Sequence, residues 1–178
     1  MRPVSETLLS LLWLLPEAMS AWALYRLWRS FLPLRPRWRW LLWGTLLVCS
    51  SVIIWVGDHN LLFALPPFFA VGLWCSRGCW SGRLAVTAIF FSMMMAVNAL
   101  SDTYLGMLGL YALPRLSRPV LYGGVYLLLR RRLPAAPPEL PPRLWRLILG
   151  LAALPLFALV AVVLLTFRRY DSIEVNTV

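Results

Sequence analysis

The chain has 178 residues, a formal net charge of +10 at pH 7 and a hydrophobic fraction of 61%, with only 13% charged residues. Soluble domains contain about 45–50% apolar and about 25% charged residues, so this composition excludes a protein that folds mainly in water. Since every loop between the apolar segments is short, it also excludes a separate soluble domain. The composition predicts an all-α, polytopic membrane helix bundle.

The apolar segments are separated by short polar or arginine-containing loops. A membrane-spanning helix needs ~20 mostly apolar residues, so we expect about six transmembrane helices in this chain. The predicted spans cover residues 5–27, 40–56, 61–74, 84–100, 107–129 and 144–167, and residues 168–178 form a polar C-terminal tail.

The first span contains one carboxylate, Glu17, directly after Pro16. Its apolar stretch is longer than the hydrophobic region of a cleaved signal peptide and ends in arginines, so we expect a retained helix. A carboxylate inside a membrane is costly and by default suggests a function. The alternative is a protonated Glu17 that hydrogen-bonds to a neighbouring helix. A proton relay is poorly supported, because no second carboxylate falls within a predicted span.

The fifth span is the least regular. Its first half contains Pro114, Arg115, Arg118 and Pro119. Its cleanly apolar part, Val120–Leu129, is too short to cross a membrane alone. We expect the first half to lie at the outer interface, where arginines reach lipid headgroups. A re-entrant turn is the alternative.

The arginines, which are all 17 of the basic residues, cluster on alternate loops. Since cytoplasmic loops carry an excess of basic residues, we expect an extracytoplasmic N-terminus. The arginines placed in the cytoplasm are then Arg26, Arg29, Arg35, Arg37, Arg39, Arg77, Arg83, Arg130, Arg131, Arg132, Arg143 and Arg146. The side of the C-terminus stays open, because Arg168 and Arg169 would lie outside. A charge rule that is weak at a chain end, one span more or fewer, or a chain that continues would each resolve this conflict.

Several polar side chains fall at the outer ends of the predicted spans. Asn98 and Asp102 are four residues apart and therefore share a helical face. At the same level lie Asp58, His59, Arg115 and Arg118. Ligand sites typically combine apolar walls with a few polar groups, so we predict that these six residues line a shallow extracytoplasmic pocket. The alternative is an ordinary polar layer at the ends of membrane helices.

The sequence contains no combination of residues typical of catalysis. The only histidine, His59, lies at a loop tip, and there is no phosphate-binding loop, HExxH motif or pair of glutamates. Cys49, Cys75 and Cys79 are too few for a metal site and too odd in number for a disulfide framework. We therefore predict no enzymatic activity, no cofactor and no metal. The positive charge indicates contact with anionic membrane lipids rather than nucleic acid, and a homodimer is compatible with the sequence.

A set of segments combines arginine, asparagine or aromatic residues with the ends of apolar runs. They are Arg26 and Arg29 at the end of the first helix, Arg37–Trp40, Asn60–Phe63, Asn98–Asp102, Tyr126–Arg132 and Leu140–Arg146. In this pattern the chain resembles the N-terminal transmembrane sensor region of GHKL-type sensor histidine kinases. That group includes the accessory-gene-regulator peptide receptors of Gram-positive bacteria.

The resemblance implies a membrane receptor of a two-component signal transduction system. In such receptors, as in quorum sensing, the helices bind an extracellular peptide or small-molecule signal and pass the change to a cytoplasmic kinase. The 178 residues contain no phosphoacceptor-histidine segment and no ATP-binding box. The resemblance therefore implies a truncated or fragmentary sensor with no kinase activity of its own.

Two other classes remain as alternatives. Six spans in so short a chain also fit the substrate-binding membrane subunit of a vitamin-uptake transporter, which would use the same outer pocket. Against it, such subunits usually begin inside, and Ala18, Ala21 and Ala23 lack the small-xxx-small spacing that favours helix docking. A small structural or interaction subunit is the third class.

Overall fold

A computed structural model gives the fold and describes residues 3–54, 58–109, 113–133 and 136–175, with side chains described between residues 14 and 166 of these ranges. The helices are α1 (Pro3–Phe31), α2 (Arg39–Ser51), α3 (Asn60–Cys75), α4 (Trp80–Met107), α5 (Leu113–Arg130) and α6 (Pro142–Val175), with a 3-10 turn at Pro36–Trp38. Helices account for 83% of the described residues, which contain no strand. The predicted all-α class is confirmed.

The first five helices form a closed ring. Each of α1 to α4 packs against the next helix in the chain, and α5 closes the ring by packing along α1. α6 lies outside this ring, mainly along α4. Short loops favour antiparallel neighbours, so α1, α3 and α5 end where α2, α4 and α6 begin. We call this side, with the loops 31–39, 75–80 and 130–142, the arginine-rich end.

Backbone hydrogen bonds join two loops at the arginine-rich end. The Arg35 N–H donates to the Cys75 carbonyl, and the Arg77 N–H donates to the Pro33 carbonyl, both at 2.8 Å. Arg83 Nη1 donates to the carbonyl of Leu73 in the last turn of α3, at 3.0 Å. These bonds satisfy backbone groups that the helix end leaves without partners.

Aromatic side chains form the centre of the ring. Trp28 of α1 is fully buried, and its ring centroid lies 4.8 Å from that of Phe90 and 6.0 Å from that of Phe68. The Trp28 Nε1–H donates to Ser76 Oγ at 3.0 Å. The indole therefore packs as an apolar group while its one polar atom is satisfied.

The helix bounds differ from the predicted spans at several points. α4 continues to Met107, so Asn98 and Asp102 lie within the helix rather than at its end. The predicted fifth span began at residue 107, whereas Met107 ends α4, α5 begins at Leu113, and residues 110–112 lie outside the described residues. The part of the predicted interface segment that contains Pro114 and Pro119 lies in the first half of α5, which is one continuous helix. Asn98, Asp102 and Arg118 interrupt the apolar pattern of the sequence but not the helices that contain them. Their polar groups are hydrogen-bonded to the backbone at the end of α2.

The end of the predicted second span and the predicted C-terminal tail also differ from the structure. α2 ends at Ser51, and Val52 has extended backbone angles, while residues 55–56 of the predicted second span lie outside the described residues. α6 continues to Val175, so most of the predicted tail is helical, and residues 176–178 lie outside the described residues.

Two of the described helices are long and apolar enough to cross a membrane. They are α4 and α6, the latter over Pro142–Thr166, while α3 is apolar but shorter. α4 is largely buried in the bundle, whereas α6 presents most of its apolar side chains outwards. These two helices indicate association with a membrane.

Gly72 lies where α3 packs closely against α4 and α1. A Cβ atom at this position would lie 2.7 Å from Thr87 Oγ1 and 3.0 Å from Trp28 Cη2. Gly72→Ala is expected to lower the free energy of unfolding by about 1–3 kcal/mol, because the neighbours must shift to accept the methyl group. Reversible unfolding in mixed micelles measures the change.

Gly150→Ala is the matched control for that experiment. An added Cβ at Gly150 of α6 would meet nothing within 4 Å, so this change should leave the stability unchanged or raise it. Equal losses for the two variants would contradict the close packing of α3 on α4.

Candidate functional site: a buried polar network at the end of α2

The end of α2 needs hydrogen-bond donors from other helices. Its 13 residues extend only ~20 Å, so α2 ends beside the longer helix α4 rather than at the end of it. The last four carbonyl groups of a helix have no partner within it. Cys49, Ser50 and Ile54 at this end are buried, so unpaired backbone groups here would be costly.

α4 supplies two side chains that bind this backbone. Asn98 Nδ2 donates to the carbonyl oxygens of Cys49, at 2.9 Å, and Val52, at 3.2 Å. Asp102 Oδ2 accepts a hydrogen bond from the Ile54 N–H at 2.7 Å. Because Asn98 and Asp102 are one turn apart, both face the end of α2.

α5 supplies two more side chains, also one turn apart. Arg118 Nη1 donates to the Ser50 carbonyl at 2.8 Å, and Arg118 Nη2 lies 2.6 Å from each carboxylate oxygen of Asp102. The Tyr122 hydroxyl donates to Asn98 Oδ1 at 3.0 Å. We call Asn98, Asp102, Arg118 and Tyr122 the α2-end network.

The α2-end network is buried from solvent. Asn98 is 0% exposed, and Asp102 and Arg118 are 3% exposed. The guanidinium and the carboxylate neutralise each other, although Arg118 Nε has no hydrogen-bond partner among the described residues. Mutual attraction offsets the desolvation of such a pair only when the geometry is good, and loss of one partner leaves a buried unpaired charge. The network therefore holds α2, α4 and α5 in one relative position.

Three of the six residues predicted to line the outer pocket come together in this network. They are Asn98, Asp102 and Arg118, and their polar groups bind one another and the backbone of α2. The shared helical face predicted from the spacing of Asn98 and Asp102 is present. What occupies that face is protein backbone, and ligand binding by these residues stays a prediction.

The other predicted residues lie outside the network. Asp58 Oδ1 accepts a hydrogen bond from the Asn60 N–H at 2.9 Å, at the start of α3. His59 is exposed, with its Nδ1 3.8 Å from Asp58 Oδ1. Arg115 is exposed on α5, and Glu17 is half-buried on α1. Ligand binding by Asp58, His59 and Arg115 and a functional role of Glu17 therefore stay predictions.

Tyr122 is a member of the network that the sequence reasoning missed. Its spacing of four residues from Arg118 repeats the spacing of Asn98 and Asp102, and this signal could have identified it. The carbonyl groups of α2 carry no comparable signal, since every residue has one.

The cysteines make helix-end contacts. Cys79 Sγ accepts a hydrogen bond from the Gly82 N–H at 3.4 Å at the start of α4, and Cys75 Sγ donates to the Trp38 carbonyl at 3.3 Å. Within the part of the chain that the structure describes, no group of three or more His, Cys, Asp or Glu side chains is placed to hold a metal ion.

Comparisons of the chain with models of protein families, with curated proteins and with solved structures give no match. The functional interpretation therefore depends on the geometry of the molecule and on the pattern of its sequence.

The ion pair of the network can be tested by a double-mutant cycle. Asp102→Asn and Arg118→Gln are each expected to lower the free energy of unfolding by about 3–5 kcal/mol, because each leaves the remaining charge buried without a partner. The double variant is expected to lose less than the sum of the two, since no unpaired charge remains. Unfolding in mixed micelles provides the measurement.

Tyr104→Phe on α4 is the control, because Tyr104 is 63% exposed. Its effect is expected to stay within about 0.5 kcal/mol. Strict additivity of the Asp102 and Arg118 substitutions would show that the two side chains do not interact.

Proposed function

We propose that the chain is a polytopic integral membrane protein. The main support is the distribution of apolar side chains, because large ones are exposed on several helices beyond α4 and α6. Phe63 of α3 is 74% exposed, and Val120 and Leu128 of α5 are 73% and 78% exposed. Most polar groups of the α2-end network are instead hydrogen-bonded inside the bundle, as a lipid environment requires.

The arginines support the orientation of this bundle. The loops at the arginine-rich end carry Arg35, Arg37, Arg77, Arg131 and Arg132, and basic loops are retained in the cytoplasm. In our proposal the arginine-rich end therefore faces the cytoplasm, and the N-terminus and the α2-end network lie towards the extracytoplasmic side.

Cysteine labelling tests this topology. In a background with Cys49, Cys75 and Cys79 replaced by alanine, His59→Cys is expected to react with a membrane-impermeant maleimide in intact spheroplasts. Arg77→Cys and Arg131→Cys are expected to react only after permeabilisation, because they lie on the cytoplasmic side. All three positions are exposed in the fold. The reverse pattern, or equal labelling of all three, would contradict the proposed topology.

We further propose that this bundle is the signal-receiving module of a two-component system, without kinase activity of its own. The observation that carries this proposal is the α2-end network, which ties three helices together through a buried ion pair near the proposed outer surface. A signal that binds better to the bundle with this pair open shifts the population of helix packings. Tight packing turns such a local event into a discrete rearrangement.

Two features of the network support a switch over a purely structural contact. Arg118 Nε has no hydrogen-bond partner among the described residues, so one buried donor remains unsatisfied while the ion pair is closed. Pro119, directly after Arg118 in α5, cannot donate its own backbone hydrogen bond and weakens the helix at this point. The sequence resemblance to sensor regions points to the same class.

Opening the network by mutation tests the signalling role. In cells that carry the gene, Asp102→Ala and Arg118→Ala are expected to change transcription of the same set of genes, because both substitutions release the same ion pair. RNA sequencing at matched membrane abundance gives the measurement. Tyr104→Phe is the control, because Tyr104 is exposed and lies on α4 like Asp102. This variant is expected to keep the wild-type transcription profile.

The result also separates the competing classes. Wild-type transcription in both variants, with intact insertion and abundance, would contradict the sensor proposal. Unchanged transcription together with lost uptake of a radiolabelled vitamin would instead favour the substrate-binding subunit of a transporter.

A further inference from the structure

The arginine-rich end contains a cavity of about 840 Å³ that is separate from the α2-end network. Its wall is formed by α1, by the loop that leads into α2, and by the end of α5. The polar side chains that line it include Arg26, Arg29, Ser30, Arg39, Tyr126 and Arg130. Four guanidinium groups therefore surround one space, and none of the described residues contributes a carboxylate to its lining.

The charge of this cavity is not neutralised within the fold as described. The ion pairs that the described residues form lie elsewhere, between Asp102 and Arg118 and between Asp58 and His59. Two of the lining arginines are held against indole rings, Arg26 at 5.7 Å from the ring centroid of Trp22 and Arg39 at 5.6 Å from that of Trp40. Such stacking leaves the N–H groups at the guanidinium edge free for an anion.

An apolar groove of about 540 Å³ continues from the cavity along α1 and α5. Tyr126 and Arg130 line both spaces, so the two are contiguous. The remaining wall of the groove is mainly apolar and includes Leu15, Met19, Trp22, Pro119, Gly123 and Leu127.

The groove and the adjoining cavity together extend over a depth similar to that of one membrane leaflet. The α1 residues that line the groove extend from Leu15 to Ala23, and Arg26 of the cavity follows three residues later. From Leu15 to Arg26 the helix rises ~16 Å. The hydrocarbon core of a bilayer is ~30 Å thick, so one leaflet occupies about half of that depth. The groove thus runs from near the middle of the membrane to the arginine-lined cavity.

We propose that the cavity and the groove together bind an anionic phospholipid from the leaflet on the arginine-rich side. The phosphate lies among Arg26, Arg29, Arg39 and Arg130, and one acyl chain lies between α1 and α5. Guanidinium groups bind phosphate oxygens through paired, charge-assisted hydrogen bonds. The inference rests on the proposed membrane placement and is independent of the signalling role.

Lipid binding to the purified protein tests the headgroup site. Native mass spectrometry is expected to retain phosphatidylglycerol on the wild-type chain in preference to phosphatidylcholine. Arg29→Gln combined with Arg130→Gln is expected to weaken phosphatidylglycerol binding tenfold or more, because two charged donors are lost. Arg143→Gln combined with Arg146→Gln is the matched control, since these exposed arginines lie at the same end and do not line the cavity. It is expected to bind like the wild type.

A second pair of variants tests the acyl-chain site. Gly123 lines the groove and Gly124 does not, and an added Cβ at either position would meet nothing within 4 Å. Gly123→Leu is therefore expected to fill the groove and weaken phosphatidylglycerol binding severalfold, whereas binding of inorganic phosphate stays as in the wild type. Gly124→Leu is expected to leave both unchanged.

Each contrary outcome overturns a defined part of the inference. Equal retention of the two lipids, or wild-type binding by the Arg29 and Arg130 double variant, would exclude the headgroup site. Inorganic phosphate that binds as tightly as the lipid, with no effect of Gly123→Leu, would assign the cavity to a soluble phosphate compound. A reversed pattern in the topology experiment would overturn the proposed orientation alone, because these binding measurements in detergent do not depend on which side of the membrane the arginine-rich end faces.

Discussion

A helix that ends inside an apolar environment must have its last carbonyl groups satisfied by other parts of the protein. α2 ends at Ser51 and is followed directly by the extended residue Val52. The Val52 N–H and Ser51 Oγ donate to the Val48 carbonyl. The donors to the Cys49 and Ser50 carbonyls come from α4 and α5, which can reach this point only when the three helices are in contact. The position of one helix end thus fixes the packing of three of the five helices in the ring.

The two ends of the bundle solve the same problem with different charges. At the arginine-rich end, Arg83 donates to the Leu73 carbonyl at the end of α3 and lies over the ring of Trp80, and no carboxylate among the described residues pairs with it. At the other end, Arg118 donates to the Ser50 carbonyl and is also paired with Asp102. Arg118 is 3% exposed while Arg83 is half-buried, and the deeper charge is the one that needs a counter-charge, since an isolated buried ion is far more costly than a partly solvated one.

Composition and the lengths of the apolar runs were sufficient to predict the all-α class and to locate the helices approximately. The helix ends were less predictable, because the criterion was loss of apolar character. Asn98 and Asp102 met that criterion while lying inside α4. Their spacing correctly placed them on one face. Nothing in the sequence states that this face meets the end of α2, because a backbone carbonyl has no residue type and the contact joins positions 49 residues apart in sequence.

The same limit explains the interpretation of Arg118. An arginine among prolines is predicted to lie at the interface when only its own segment is considered. The carboxylate of Asp102, 16 residues away in sequence, offsets the cost of burying Arg118. The hydropathy of one segment does not reveal that a charge in it is paired with an opposite charge on another helix.

α2 and α5 connect the two ends of the molecule. α2 contributes its backbone to the α2-end network, Trp43 to the groove and Arg39 to the cavity. In α5, Arg118 belongs to the network, while Arg130 belongs to both the groove and the cavity. A ligand at one end therefore influences the other to the extent that it binds one relative position of these two helices better than another. Such coupling is reciprocal, so an anionic lipid that favours the closed network would be bound more weakly whenever the network opens.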